Sequence, residues 1–336
     1  MKKQILNLLI FAILILLIPM TVLLHKDRTS QDKIIQDDSP KITQPLTLNS
    51  DAEKTEYYKY FDIEKNKIIN ISVRDYLIGA VAAEIPANYE PEALKCQAIV
   101  AHTYAERRHI IAETNPEPDL NGADFSNDTS KYQAFFTLEQ IKEFYADKFA
   151  EYYEKIGNAV DDVIDCVILY KDEPIIAAFH ALSAGKTESA VNVWGNNVEY
   201  LVAAESDADK SSPDYQTEIT FTKNQLLEKI YAYDPTIEFT LETKDYLKIN
   251  STTISNTVTD ITVGNKTMTG TEVRSALGLR SAVFDIKVSE DNFIFTVKGY
   301  GHGVGMSQYG ANEMAKSGKT FDEILKHYYL GIDIVS

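Results

Sequence analysis

Cysteine is nearly absent from the chain: Cys96 and Cys166 are the only two in 336 residues. A disulfide framework of the kind that replaces a core in small secreted domains is excluded, and stability has to come from packing. Positive charge is also short, with 33 lysines and arginines against 50 aspartates and glutamates, a formal net charge of −17. No basic run interleaved with aromatics offsets it, so the chain repels phosphate backbones and nucleic-acid binding is excluded. Neutral sugars, peptides and basic partners remain. The histidines, His25, His102, His109, His180, His302 and His327, form no H-E-x-x-H pattern. With the cysteines isolated, neither a metal nor a cofactor is expected. Gly299, Gly301, Gly303 and Gly305 lack both the G-K-[ST] ending of a phosphate loop and the G-x-G-x-x-G spacing. They read instead as backbone that must approach a neighbouring segment or a flat ligand closely. At 44% apolar residues the chain can still bury a large core.

One long apolar run is present, from Ile5 to Leu24 after Lys2 and Lys3. Roughly twenty residues at about 1.5 Å each span about 30 Å, the hydrocarbon thickness of a bilayer. The run leads straight into His25-Lys26-Asp27-Arg28 rather than a small-x-small cleavage site, so residues 1–26 read as a retained single-pass membrane anchor. The charge balance keeps the N-terminus cytoplasmic and puts the rest outside the cell membrane. Residues 27–55, polar and poor in large apolar side chains, read as a flexible tether, and residues 56–336 as one large domain or two packed lobes.

The expected fold class is α+β, helix-rich first and strand-rich later. Tyr57 to Val73 reads as a strand pair turning at Lys65-Asn66. Ser72 and Asp75 cap a helix that must stop near Glu84-Ile85-Pro86, because a residue before proline is pushed out of the helical region. Pro91 opens the next helix. Thr137 and Gln140 cap a third, long helix; Val163–Tyr170 and Ile175–Phe179 read as strands about the Lys171-to-Pro174 turn. Hairpins are expected at Gly264-Asn265 and at Glu290-Asp291-Asn292, and a final helix capped by Thr320 and Glu323.

Glu84 stands out among the carboxylates because it follows Gly79-Ala80-Val81-Ala82-Ala83 and precedes Ile85-Pro86. An acid in apolar surroundings has its ionised form disfavoured and can donate a proton near neutral pH. The pattern alone leaves open an exposed glutamate at a helix end. Glu92, one helix on, reads as solvated.

Several stretches resemble the stage II sporulation protein D family of lytic transglycosylases: Ala82-Ala83-Glu84-Ile85-Pro86-Ala87, Glu92-Ala93-Leu94-Lys95-Cys96-Gln97-Ala98, His102-Thr103-Tyr104-Ala105, and Gly301-His302-Gly303-Val304-Gly305-Met306-Ser307-Gln308-Tyr309-Gly310-Ala311. Between them come Phe179-His180-Ala181-Leu182-Ser183-Ala184-Gly185-Lys186-Thr187-Glu188 and Val193-Trp194-Gly195, and His327-Tyr328-Tyr329-Leu330-Gly331 resembles the closing motif. The resemblance implies cleavage of the β-1,4 bond between N-acetylmuramic acid and N-acetylglucosamine in denuded peptidoglycan strands, with a 1,6-anhydro product, during engulfment in sporulation. It also implies partnership with a membrane-bound amidase and a third membrane protein.

By that resemblance Glu84 is the catalytic acid. Lys95, Gln97, His102, His180, Ser183, Tyr200, His302, Ser307, Gln308 and Tyr309 line the substrate, and Trp194 offers a stacking surface. Lys95 and Gln97 do not face the same way on a helix, so at most one of them points at Glu84. His102 replaces the arginine common in the family and would make glycan affinity pH-sensitive. Some members hold zinc in the loop after the second helix; Leu120, Ser126 and Tyr132 stand at those places, and none is a thiolate or imidazole. These two departures keep alive the alternative of a noncatalytic peptidoglycan-binding or amidase-enhancing protein on the same fold.

Overall fold

Local signals set the two helices that carry the site. In the computed structural model Ser72 Oγ accepts from the Asp75 N–H at 3.1 Å and starts α1 (Val73–Glu84), which ends where Ile85 turns extended before Pro86. Pro91 occupies the first turn of α2 (Pro91–Thr114), where its missing N–H leaves no bond unmade. Residues 55–336 are described, apart from 241, 243, 244 and 291. The expected anchor, Ile5 to Leu24, and the tether up to residue 54 lie outside the described residues, among which no helix is long and apolar enough to cross a membrane.

The architecture is α+β. α2 is the axis of the first core, and Ala93, Ala98, Ala101 and Ala105 are all buried on it. Such small side chains let α1, α4 (Phe149–Asp161), α8 (Gln308–Lys316) and α9 (Phe321–Tyr328) approach from all sides. On its flank β1 (Tyr57–Asp62) pairs antiparallel with β2 (Lys67–Ser72) and parallel with β3 (Phe125–Ser126). Another sheet orders β14 (Asp333–Val335), β4 (Val167–Tyr170) and β5 (Glu173–Pro174). β6 (Phe179–His180) forms a short parallel bridge to β13 (Met306–Ser307).

A second core is built entirely within Phe221–Val297. Here β7 (Gln216–Thr222) leads into α6 (Lys223–Tyr233). β8 (Leu247–Thr252), β9 (Val258–Val263) and β10 (Lys266–Met268) form one sheet, and α7 (Gly270–Leu277) follows. β11 (Phe284–Ser289) and β12 (Asn292–Lys298) close back on β7. Its two ends meet, since Gln216 pairs with Lys298 and the Gly299 N–H donates to Tyr215 O at 2.8 Å.

Two expected elements come out differently. The long third helix is two helices: the Thr137–Gln140 capping box is there, but α3 (Leu138–Tyr145) stops at Ala146, whose φ is +47°, before α4 begins. The break folds the helices together, with Tyr145 and Tyr152 edge-on at 5.1 Å and the Tyr145 hydroxyl reaching Ala82 O on α1. The strand expected over Val163–Tyr170 shrinks to β4, and of the strand expected over Ile175–Phe179 only Phe179 is in a strand, β6. The partner of β4 is instead β5, inside the expected turn, because a two-residue turn at Lys171 and Asp172, both at positive φ, pairs Tyr170 directly with Glu173.

Candidate active site

Glu84 is the last residue of α1 and only 3% exposed. Its Oε1 accepts from the Ala134 N–H at 3.3 Å, and Tyr76 and Tyr104 lie close enough for its charge to act on their phenols. Burial pushes Tyr104 up to about 12 and raises Tyr76 well above the ordinary phenol value, so both stay neutral donors or acceptors. From α2, Gln97 meets Gln308 at the head of α8: Gln308 Nε2 donates to Gln97 Oε1 at 3.0 Å and to the Glu84 carbonyl at 3.1 Å. Gln97 Nε2 is buried and has no hydrogen-bond partner among the described residues. Residues separated by more than 200 positions thus join at the end of α1.

A second group lies along the same β6–β13 bridge. Asp209 Oδ2 accepts from the Ser183 N–H and from Ser307 Oγ, each at 2.7 Å, while Ser307 Oγ caps α8 by accepting from Gly310 N. In a third group Val304 fixes two imidazoles. Its carbonyl accepts a hydrogen bond from His180 Nδ1–H at 3.1 Å, and its N–H donates to His302 Nδ1 at 3.0 Å, so the two rings hold opposite tautomers. Burial pushes His180 down to about 4 and His302 well below the ordinary imidazole value, which keeps both neutral. The rings lie 5.8 Å apart, and Trp194 packs 5.6 Å from His302. The glycines around His302 have positive φ, and a Cβ at Gly305 would stand 2.0 Å from Ala178 O, so the loop is pressed onto the strand that carries His180.

The remaining candidates face elsewhere. Lys95 Nζ is paired with Glu92 at 2.9 Å and Asp162 at 3.0 Å. The Tyr200 hydroxyl accepts from Ile176 N at 2.8 Å, and the Tyr309 hydroxyl meets Ser211 Oγ at 3.4 Å. His102 is buried, with Nδ1 donating to Cys166 O at 3.0 Å and Nε2 3.6 Å from Glu106. Its place is packing rather than a groove wall. His102→Ala is therefore expected to lose about 1–3 kcal/mol of stability by stranding the Cys166 carbonyl, with glycan affinity unchanged. A melting curve and a glycan-binding assay check both halves.

Asp209 carries no signal in the sequence, because Asp207-Ala208-Asp209-Lys210 reads as a solvated charge mixture. It is fully buried, and burial pushes its carboxyl above the ordinary 3.8 against the pull of its hydrogen bonds. A carboxyl raised in this way favours folding fully below its ordinary pKa, and that contribution is lost as pH rises through the folded value. Asp209→Asn, whose carbonyl can accept the same two bonds, should gain stability relative to the parent as pH goes from about 4 to about 7. Urea denaturation across that window measures the difference, and a difference that does not change with pH would refute the argument.

The three positions that the resemblance matched to a zinc site do not fit the ion. Leu120 is buried apolar, Ser126 Oγ accepts from Asp128 N, and the Tyr132 hydroxyl donates to Glu117. Chelators are expected to leave the melting temperature unchanged.

The stage II sporulation protein family model matches residues 62–170, which include both site helices. Stage II sporulation protein D of Bacillus amyloliquefaciens is 33% identical over 328 residues, covering 96% of this chain and 92% of that protein. The protein of the same name from Bacillus subtilis (strain 168) is 32% identical over 339 residues, covering 99% and 96%. The amidase enhancer of Bacillus subtilis (strain 168) is 25% identical over 313 residues, 77% of this chain and 40% of that protein. With such identity sustained across nearly the whole length of two relatives, the chain belongs to the stage II sporulation protein D family.

Proposed function

We infer that this protein is a lytic transglycosylase that cuts the MurNAc-GlcNAc β-1,4 bond of denuded peptidoglycan strands during engulfment, held at the membrane by residues 5–24. The observation that carries the reading is the buried Glu84 carboxyl at the end of α1, with the Ala134 N–H on its Oε1 and the neutral phenols of Tyr76 and Tyr104 near it. An ordinary glycosidase needs two carboxyl groups, one to protonate the leaving oxygen and one to attack or to activate water. One is enough when the sugar's own C6 hydroxyl attacks. Glu84 gives its proton to the glycosidic oxygen as the C1–O bond breaks. The resulting carboxylate then takes the C6 hydroxyl proton as C6–O closes on C1, which leaves a 1,6-anhydro ring and restores the acid. The buried Gln97 Nε2 is a donor suited to a sugar oxygen.

A membrane-bound amidase and a third membrane protein are the partners that fit this role. The similarity to an amidase enhancer favours a second reading, in which the protein binds glycan and stimulates an amidase without cutting. Mass spectrometry of digests from denuded glycan separates the two. Anhydro ends support the transglycosylase, reducing ends would mean a hydrolase, and intact strands that stay bound would mean the enhancer.

A further inference from the structure

The N–H that meets Glu84 belongs to a segment with no regular structure, residues 127–137, and a hydrogen bond to a catalytic carboxyl is only as constant as the chain that delivers it. That chain is fastened residue by residue. Glu117 takes the Arg108 guanidinium on Oε1 at 2.5 Å and the Tyr132 hydroxyl on Oε2 at 2.7 Å, and the guanidinium lies 5.2 Å from the centre of the Tyr132 ring. The three side chains form a closed ring. Although burial raises the Glu117 carboxyl, the bonds from Arg108 and Tyr132 hold it below its ordinary value. One residue on, the Gln133 N–H donates to the Tyr104 hydroxyl at 3.2 Å, while Gln133 Oε1 accepts from Tyr76 at 2.9 Å. Ala134 then reaches Glu84, and the Phe136 N–H donates to Gly79 O at 3.0 Å.

Arg108 stands four residues after Tyr104 on α2, so one face of that helix holds both anchors, and Tyr76 and Glu84 likewise share a face of α1 eight residues apart. We propose that the Arg108–Glu117–Tyr132 clamp is a positioning device for the reaction. It holds the Ala134 N–H on Glu84 so that the carboxylate left after the first proton transfer is stabilised until it takes the second proton. The inference rests on Glu84 acting as both acid and base. Tyr76 on α1 and Tyr104 on α2, both neutral phenols, are near enough to feel the Glu84 charge, and the donated N–H is a direct bond to the carboxyl that a loosened segment would change. Losing an N–H donor raises a carboxyl's pKa.

The test titrates Glu84 by carbon-13 NMR in the full chain labelled at its glutamate carboxyls, with the Glu84→Gln spectrum assigning the resonance. Tyr132→Phe and Glu117→Gln are compared with the parent. In both variants the Glu84 midpoint is expected to rise by roughly one pH unit, and anhydro-product formation to fall about tenfold with glycan affinity unchanged. Should Glu117→Gln unfold because Arg108 is left buried without its partner, Tyr132→Phe decides alone, since it removes a single hydroxyl. Unchanged midpoints in folded variants would overturn the clamp. Raised midpoints in the variants of a parent that cuts no glycan would keep the clamp's hold on Glu84 and overturn the transglycosylase.

Discussion

Glu84→Gln should fold like the parent and release no anhydro-sugar from denuded glycan. The amide is nearly isosteric, and its carbonyl oxygen can still accept the Ala134 N–H that the carboxyl accepts at 3.3 Å. Gln308, which binds the Glu84 backbone carbonyl, is untouched by the change. The proton, however, is gone. General acid catalysis alone contributes about 10²- to 10⁴-fold, and here one group serves as acid in the first half of the reaction and as base in the second. Product should therefore fall below detection in mass spectrometry while circular dichroism melting stays within about a degree of the parent. Glu154→Gln, on the exposed face of α4, is the control and should cut normally. Turnover by a folded Glu84→Gln variant would remove Glu84 from the chemistry and place the proton transfers on another group.

What the sequence made legible is what neighbouring residues decide. Ser72 with Asp75, Pro86 and Pro91 bound the two helices, and Gly264 with Asn265 turns β9 into β10, because caps and turns are chosen by residues a few positions apart. For Glu84 the apolar run before it left burial and exposure both open, and the fold buries it. Contacts across long sequence separations were not legible. His102 bonds a carbonyl 64 residues away, and nothing in its own helix announces it. Glu92 looks like a solvated first-turn acid, yet Oε2 accepts from the Phe321 N–H at 2.7 Å and ties the start of α9 to α2. The clamp was hidden for the same reason: Arg108, Glu117 and Tyr132 sit among ordinary charged and aromatic residues until the loop closes. Family resemblance named Gln97 and Gln308, and only the fold gives them a shared hydrogen bond.

The site's dependence on that loop gives Gly79→Ala a larger effect than a helix glycine ordinarily carries. In an isolated helix the change would help by about 0.5–1 kcal/mol, since glycine loses more freedom on folding than alanine. Here a Cβ at Gly79 would stand 2.2 Å from Phe136 O, with the Phe136 carbon and nitrogen each at 3.2 Å. All three are backbone atoms and cannot swing aside as a side-chain tip would. Residues 134–136 must lift off α1, which breaks the Phe136 N–H bond to Gly79 O and draws Ala134 away from Glu84, five residues along the same helix. Steric displacement and a stranded buried amide together should cost roughly 2–4 kcal/mol. Cleavage should fall with stability and stay low even where the variant is fully folded. Gly157→Ala on α4 is the matched comparison, because its Cβ would meet only the Arg74 guanidinium tip at 3.3 Å and a methyl of Ile78 at 3.9 Å. That variant should be neutral or slightly more stable, and should cut at the parent rate. Urea denaturation and product analysis on the pair decide the matter: equal stabilities would mean that the 134–136 segment does not lie on Gly79, and its hold on Glu84 would fall with it.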